Sequence, residues 1–167
     1  MRLKIPINPA AFGAGLLVVV GGVGAVLFMQ RGAHIDLKGA VLKVRTQAMD
    51  ENSSVAVVDF RFVNPANYPF VVRQVDVTIQ DKDGKTLEGA AVSELDARRL
   101  FEYYPLLGQK FNDSLMMRDK IPARQSMDRM IVARFEVPEA ALQSRRKLTV
   151  RIVDVDGPVA ELQEGKL

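Results

Sequence analysis

The chain has 167 residues, of which 48% are hydrophobic, with a single histidine and no cysteine. That composition excludes a disulfide framework, thiolate zinc sites and histidine-cluster metal sites. The formal net charge of +3 traces to Arg2, Lys4 and Arg31; residues 32–167 hold 20 basic and 20 acidic side chains, so the basicity does not mark a nucleic-acid surface.

Residues 10–30 read as a transmembrane helix behind a short basic flank, 1–9. The run from Ala10 to Met29 holds no charge, and as a helix it would span about 30 Å, the thickness of a bilayer's hydrocarbon core. Val23-Gly24-Ala25 has the small residues of a signal-peptide cleavage site, but Val26, Leu27, Phe28 and Met29 carry the apolar run past it. Gly13, Gly15, Gly21, Gly22 and Gly24 would weaken a soluble helix and are at home in a spanning one. Ala11, Ala14, Gly15, Val18, Gly21, Gly22 and Ala25 share one helical face. Small residues let helices approach closely in lipid, which makes Gly15, Gly21 and Gly22 candidate contacts for self-association or for a larger membrane complex. Arg2 and Lys4 before the span point to a cytoplasmic N-terminus, which would leave the C-terminal domain periplasmic or extracellular.

After a linker at 31–35, residues 36–157 read as one domain. Ile35 to Gln47 is expected as the first strand, followed by the polar turn Met49–Ser53. Val55 to Asn64 alternates, with Ala56, Val58, Phe60 and Phe62 on one face and Asp59 and Arg61 on the other. Asn64-Pro65-Ala66-Asn67-Tyr68-Pro69 is a loop. Phe70 to Gln80 is a third strand, with Val71, Val75, Val77 and Ile79 inward and Arg73 against the pattern. Asp81-Lys82-Asp83-Gly84 is a hairpin turn, and Thr86 to Val92 returns as a fourth strand. Ser93 caps a helix, Glu94 to Tyr104, which Pro105 ends. Its expected inner face is Leu95, Leu100, Phe101 and Tyr104, with Glu94 and Arg98 as an i,i+4 pair. Leu115 to Met117 is a short strand candidate. Ser126 to Val137 and Leu148 to Val155 are strands, the latter expected as the last. Between them Pro138 to Gln143 gives a helical signal, with Arg145-Arg146-Lys147 suited to its C-terminus. Residues 158–167 read as a loose tail. The fold class is mainly β: a fibronectin/Ig-like antiparallel β-sandwich with a short helical insertion near 94–112, preceded by one transmembrane helix.

The segment Phe62-Val63-Asn64-Pro65, Asn67, Tyr68-Pro69-Phe70 and Asp81-Lys82-Asp83-Gly84-Lys85 resembles the Asn-Pro segment of the water-stress (WHy) and second-class late embryogenesis abundant (LEA) domains. The turn Ile121-Pro122-Ala123 before Met130–Val137 is similar in layout. The resemblance covers roughly 36–156. It implies a fibronectin-like sandwich, often membrane-anchored, without enzymatic activity; the insertion Ser93–Lys120 departs from the family pattern.

No catalytic constellation, cofactor motif or metal site emerges. His34 stands alone beside the span, with no nucleophile or acid arranged around it. Asp81-x-Asp83-Gly84 and Asp154-x-Asp156-Gly157 carry part of a calcium-loop pattern, but Asp-Gly is also hairpin chemistry at strand ends. Glu94, Asp96 and Glu102 read as a solvated helix surface rather than a carboxylate pair. The insertion concentrates apolar and aromatic area, and Tyr103, Leu106 and Leu107 are the candidate interaction residues. The expected role is that of a non-enzymatic, single-pass interaction or accessory subunit at the membrane surface, without a cofactor and without nucleic acid. Its partner would be another membrane or envelope protein. A stress-protective LEA-like domain is the alternative, and a lipid- or ligand-binding module a further one.

Overall fold

The computed structural model describes residues 19–23 and 37–165. Residues 19–23 are helical; the rest of the expected span, with Gly15, the linker and His34, lies outside the described residues. Among those described, no helix is long and apolar enough to cross a membrane. The chain divides into two compact units, Met1–His34 and Ile35–Leu167.

The second unit is mainly antiparallel β. Its strands are β1 (Lys38–Ala48), β2 (Ser54–Val63), β3 (Phe70–Gln80), β4 (Thr86–Ala91), β5 (Lys120–Ile121), β6 (Ser126–Phe135), β7 (Lys147–Asp154) and β8 (Val159–Gln163). Helix α1 (Glu94–Tyr103) and a 3-10 turn (Pro105–Leu107) lie between β4 and β5, and α2 (Glu139–Gln143) lies between β6 and β7. The order across the sheet is β1-β2-β6-β4-β3-β7-β8, with β5 beside β3. Strand β4 is shared: Thr86 to Gly89 pair with β3, while Ala90 and Ala91 pair with β6. An isolated parallel bridge between Val41 and Glu164 brings the two edge strands together, so the sheet is nearly barrel-like.

The main core fills the inside with Phe60, Phe62, Phe70, Ile79, Phe135, Leu148, Ile152 and Leu162, all fully buried. Each such side chain contributes about 1.5–3 kcal/mol of burial free energy. The expected inward face of β2, with Ala56, Val58, Phe60 and Phe62, is observed, and Ile131, Ala133 and Phe135 of β6 and Leu148, Val150 and Ile152 of β7 also point inward. In β3 the parity changes. The register shifts between Val72 and Gln74, so Arg73 is the extra residue of a bulge, and Phe70 and Val72 point inward rather than Val71.

Other expectations need correction. Leu95 is 58% exposed, and Ala97 is buried in its place. The inward stripe is Ala97, Leu100, Phe101 and Tyr104, and Leu95 lies about 200° around the helix from Ala97. Leu115 to Met117 is not a strand. Ser114 makes only an isolated bridge to Met130, and the short strand falls at Lys120–Ile121. Residues 159–163, expected in a loose tail, form β8 against β7 with Ala160 and Leu162 buried. The alternation Ala160-Glu161-Leu162 is too brief to read as a strand without its neighbour.

Candidate functional site

The insertion between β4 and β5 covers the outer face of β2 and β6. Val55, Val57, Met130 and Val132 point outward from the main core, yet all are buried. They form a second apolar cluster with Ala97 and Leu107, flanked by Met49, Val92, Leu100, Phe101 and Tyr104. A helix whose inner residue is alanine can lie close to a sheet, and Ala97 occupies that place. Ser93 caps α1 as expected, its hydroxyl accepting from the Asp96 N–H at 3.1 Å.

Polar contacts pin the insertion. The Arg45 guanidinium, on β1, donates to Asp59 Oδ2 at 2.7 Å and to the carbonyls of Leu107 at 2.7 Å and Gln109 at 2.8 Å. The rings of Phe101 and Phe111 lie against it, at 5.1 and 5.6 Å from their centroids. Asn112 Nδ2 donates to the other Asp59 oxygen at 3.0 Å. At the start of α1, Glu94 pairs with Lys110 at 2.9 Å and with Arg98 at 3.1 Å, and accepts from the Ser114 N–H at 3.1 Å. Burial pushes its carboxyl up, but the hydrogen bonds from Ser114, Lys110 and Arg98 outweigh that and hold it at about 2. Glu94 is therefore an ionised structural anchor, unsuited to proton transfer at neutral pH.

A cavity of about 680 Å³ opens between α1 and the sheet. Met49, Val55, Val92, Leu100, Tyr103 and Tyr104 make its apolar wall, with Asp96, Arg99, Glu102 and Arg134 around them. The rings of Tyr103 and Tyr104 meet edge to face, 4.9 Å between centroids. Beside this cavity Tyr103 is 78% exposed and Leu106 is 90% exposed. Leu107, expected with them, is 1% exposed and belongs to the second apolar cluster. The 3-10 turn rotates it under the insertion while Leu106 faces solvent. Phe111 was not among the expected contacts, although it is 66% exposed on the same segment. Gly21 and Gly22, in the described helical turn, have open space where a Cβ would stand.

The two Asp-Gly segments are turns. Asp81 Oδ1 accepts from the N–H groups of Asp83 and Lys85, both at 2.9 Å, and Gly84 has φ +86°. Asp154 Oδ1 accepts from the Asp156 N–H at 2.8 Å, and Gly157 has φ +104°. Among the described residues no three His, Cys, Asp or Glu side chains converge as a metal site.

The fold and this site define a mainly β domain with a pinned helical insertion that presents apolar side chains. No family model and no curated protein matches the chain, so the resemblance to WHy and LEA domains finds no support there. Among solved structures, the archaellum periplasmic stator protein FlaG from Sulfolobus acidocaldarius is similar at 10% identity, with a TM-score of 0.31, over 76% of this chain and 98% of that one.

Proposed function

We propose that this protein is a non-enzymatic accessory subunit, held in the membrane by residues 10–30, whose domain docks another membrane or envelope protein through its insertion. The domain, 36–157 with β8 added, is read as a fibronectin-like sandwich on the far side of the membrane from a cytoplasmic N-terminus. The observation that carries the reading is the exposure of Tyr103 and Leu106 beside an apolar cavity. A large aromatic and a leucine left in water next to a pocket mark a contact surface, and such residues dominate interface energies. The span would add contacts of its own through Gly15, Gly21 and Gly22. Affinity purification from detergent extracts tests the docking face. Tyr103→Ala/Leu106→Ala should fold normally and lose the partner; full recovery of the partner would remove this face as the interface.

A second reading, a stress-protective LEA-like domain, draws on the Asn-Pro segment. Asn64 is fully buried, and its amide donates to the carbonyls of Tyr68 at 2.9 Å and Ile121 at 3.2 Å, joining the two segments that suggested the resemblance. It predicts that the protein limits aggregation of unrelated proteins during drying, and protection no better than an inert protein at equal mass would end it.

A further inference from the structure

The strands gather unpaired cations at one end of the domain. Lys38, where β1 begins, lies opposite Val63, which lies opposite Ser126. The loops 64–69 and 122–125 leave from this end, and the Asn64 N–H joins them by donating to the Gln125 carbonyl at 3.0 Å. Val71 pairs with Lys120, and the Arg118 N–H donates to the Val72 carbonyl at 2.7 Å. Lys38, Arg73, Arg118, Lys120 and Arg124 are all exposed here. Among the described residues, none of these five forms an ion pair, and Arg124 Nε donates to Asn67 Oδ1 at 2.9 Å.

Among the described residues, the acids at this end offset the cations poorly. Asp154 is buried and accepts from the Val71 N–H at 3.0 Å, and Asp119 is half-buried and accepts from the Met116 N–H at 2.9 Å. Asp156 is exposed. Apolar area accompanies the charge: Tyr68 is 48%, Met117 64% and Val155 47% exposed. The Val155 N–H donates to the Val71 carbonyl at 3.0 Å, which fixes that turn beside β5 and its loop. At the opposite end, the turns after β1 and β3 carry Asp50, Glu51, Asp81 and Asp83 with Lys82 and Lys85, and Arg146 and Lys147 stand exposed where β7 begins, so the cations there are interspersed with exposed acids.

We infer that this end docks on the anionic phospholipid headgroups of the bilayer. Arg118, Lys120 and Arg124 meet the phosphates, and Tyr68 and Met117 sit at headgroup depth, where an amphipathic ring is favoured. Juxtamembrane cations are drawn to anionic lipid within about a Debye length, ~10 Å at 0.1 M salt and ~3 Å at 1 M. The inference rests on reading residues 10–30 as a span. Seven residues, 31–37, separate that span from β1 in the sequence.

The absence of cysteine allows a single-site label. Full-length protein carrying Gln125→Cys, labelled with a polarity-sensitive dye, is placed in nanodiscs of phosphatidylcholine alone or of equal parts phosphatidylglycerol and phosphatidylcholine. The emission should move to the blue only with phosphatidylglycerol and return in high salt. Arg118→Gln/Lys120→Gln/Arg124→Gln should abolish the shift, and Lys82→Gln/Lys85→Gln, at the opposite end, should keep it. Equal emission in the two lipids, a shift that survives the triple substitution, or a shift lost equally in the Lys82/Lys85 variant would overturn the inference. Co-elution with the discs reports the span separately. A chain that fails to co-elute overturns the anchoring and this inference together; a co-eluting chain whose label stays aqueous overturns the inference alone.

Discussion

The guanidinium of Arg45 lies 2.7 Å from the carboxylate of Asp59, and both side chains are at most one-tenth exposed. This pair stands where the insertion meets the sheet. Asp59 shares its strand face with Val55 and Val57, which the insertion covers, and Arg45 bonds onward to the carbonyls of Leu107 and Gln109. The ion pair thus links β1 and β2 to the segment that presents Leu106.

Removing one member of this pair strands the other in a dry place. Arg45→Leu should cost about 3–5 kcal/mol, as breaking a buried pair from one side does. The double variant Arg45→Leu/Asp59→Leu should cost less than the two single changes added together, with a coupling of about 0.5–3 kcal/mol. Urea unfolding of the four proteins in the cycle gives the result. Strict additivity would mean that Asp59 is held by Asn112 and the backbone rather than by Arg45.

Neighbouring leucines should behave oppositely. Leu107→Ala opens a hole in the second apolar cluster and should cost about 2–5 kcal/mol. Leu106→Ala removes an exposed side chain and should stay within about 0.5 kcal/mol of the parent. Thermal unfolding of both variants distinguishes them.

Glu94 gives the domain a measurable acid response. Its carboxyl titrates at about 2 in the folded protein against an ordinary value of 4.5. A lowered folded value means that ionised Glu94 stabilises the fold above about 4.5, and that this stability is lost as pH falls from there toward about 2. Glu94→Gln should be less stable than the parent at neutral pH, and the difference should shrink across that window. A constant difference across the window would show that the Lys110 and Ser114 contacts do not depend on the charge.

Asn64 ties three backbone groups. Besides its two donated bonds, its Oδ1 accepts from the Ala66 N–H at 3.0 Å. Asn64→Ala should cost about 1–3 kcal/mol for each buried group left unpaired. It should also speed amide hydrogen exchange at Ala66 ahead of the strand cores, which a heteronuclear exchange experiment reads directly.

Much of the fold was legible because its punctuation is local. Strand β3 runs Phe70–Gln80 as expected, since Pro69 precedes it and Asp81–Gly84 follows. The cap at Ser93 and the Glu94–Arg98 pair are likewise decided within four residues, and Arg145 donates to the Leu142 carbonyl at 2.7 Å, satisfying the end of α2. What escaped depends on tertiary partners. The bulge at Arg73 is a matter of register with β7, and β8 is a strand because β7 lies beside it. At the site, the exposure of Tyr103 and Leu106 followed from how few positions of a short helix face inward. The burial of Leu107 did not, because it depends on the 3-10 turn. Asp59 looked like a solvent-facing residue of an alternating strand, and Arg45 was given no face within the first strand. The available signal was the apolar pair Val55 and Val57 on the same face as Asp59, which implies a cover over that face and a partner for the acid.

If the insertion face docks a protein partner in the membrane, site-specific photocrosslinking in intact membranes should capture that contact. A photoreactive phenylalanine analogue at Tyr103 should give one discrete adduct, and the same analogue at Asp83, on the β3–β4 turn, should give none. No adduct from position 103, or an indistinguishable pattern from the two positions, would contradict the account.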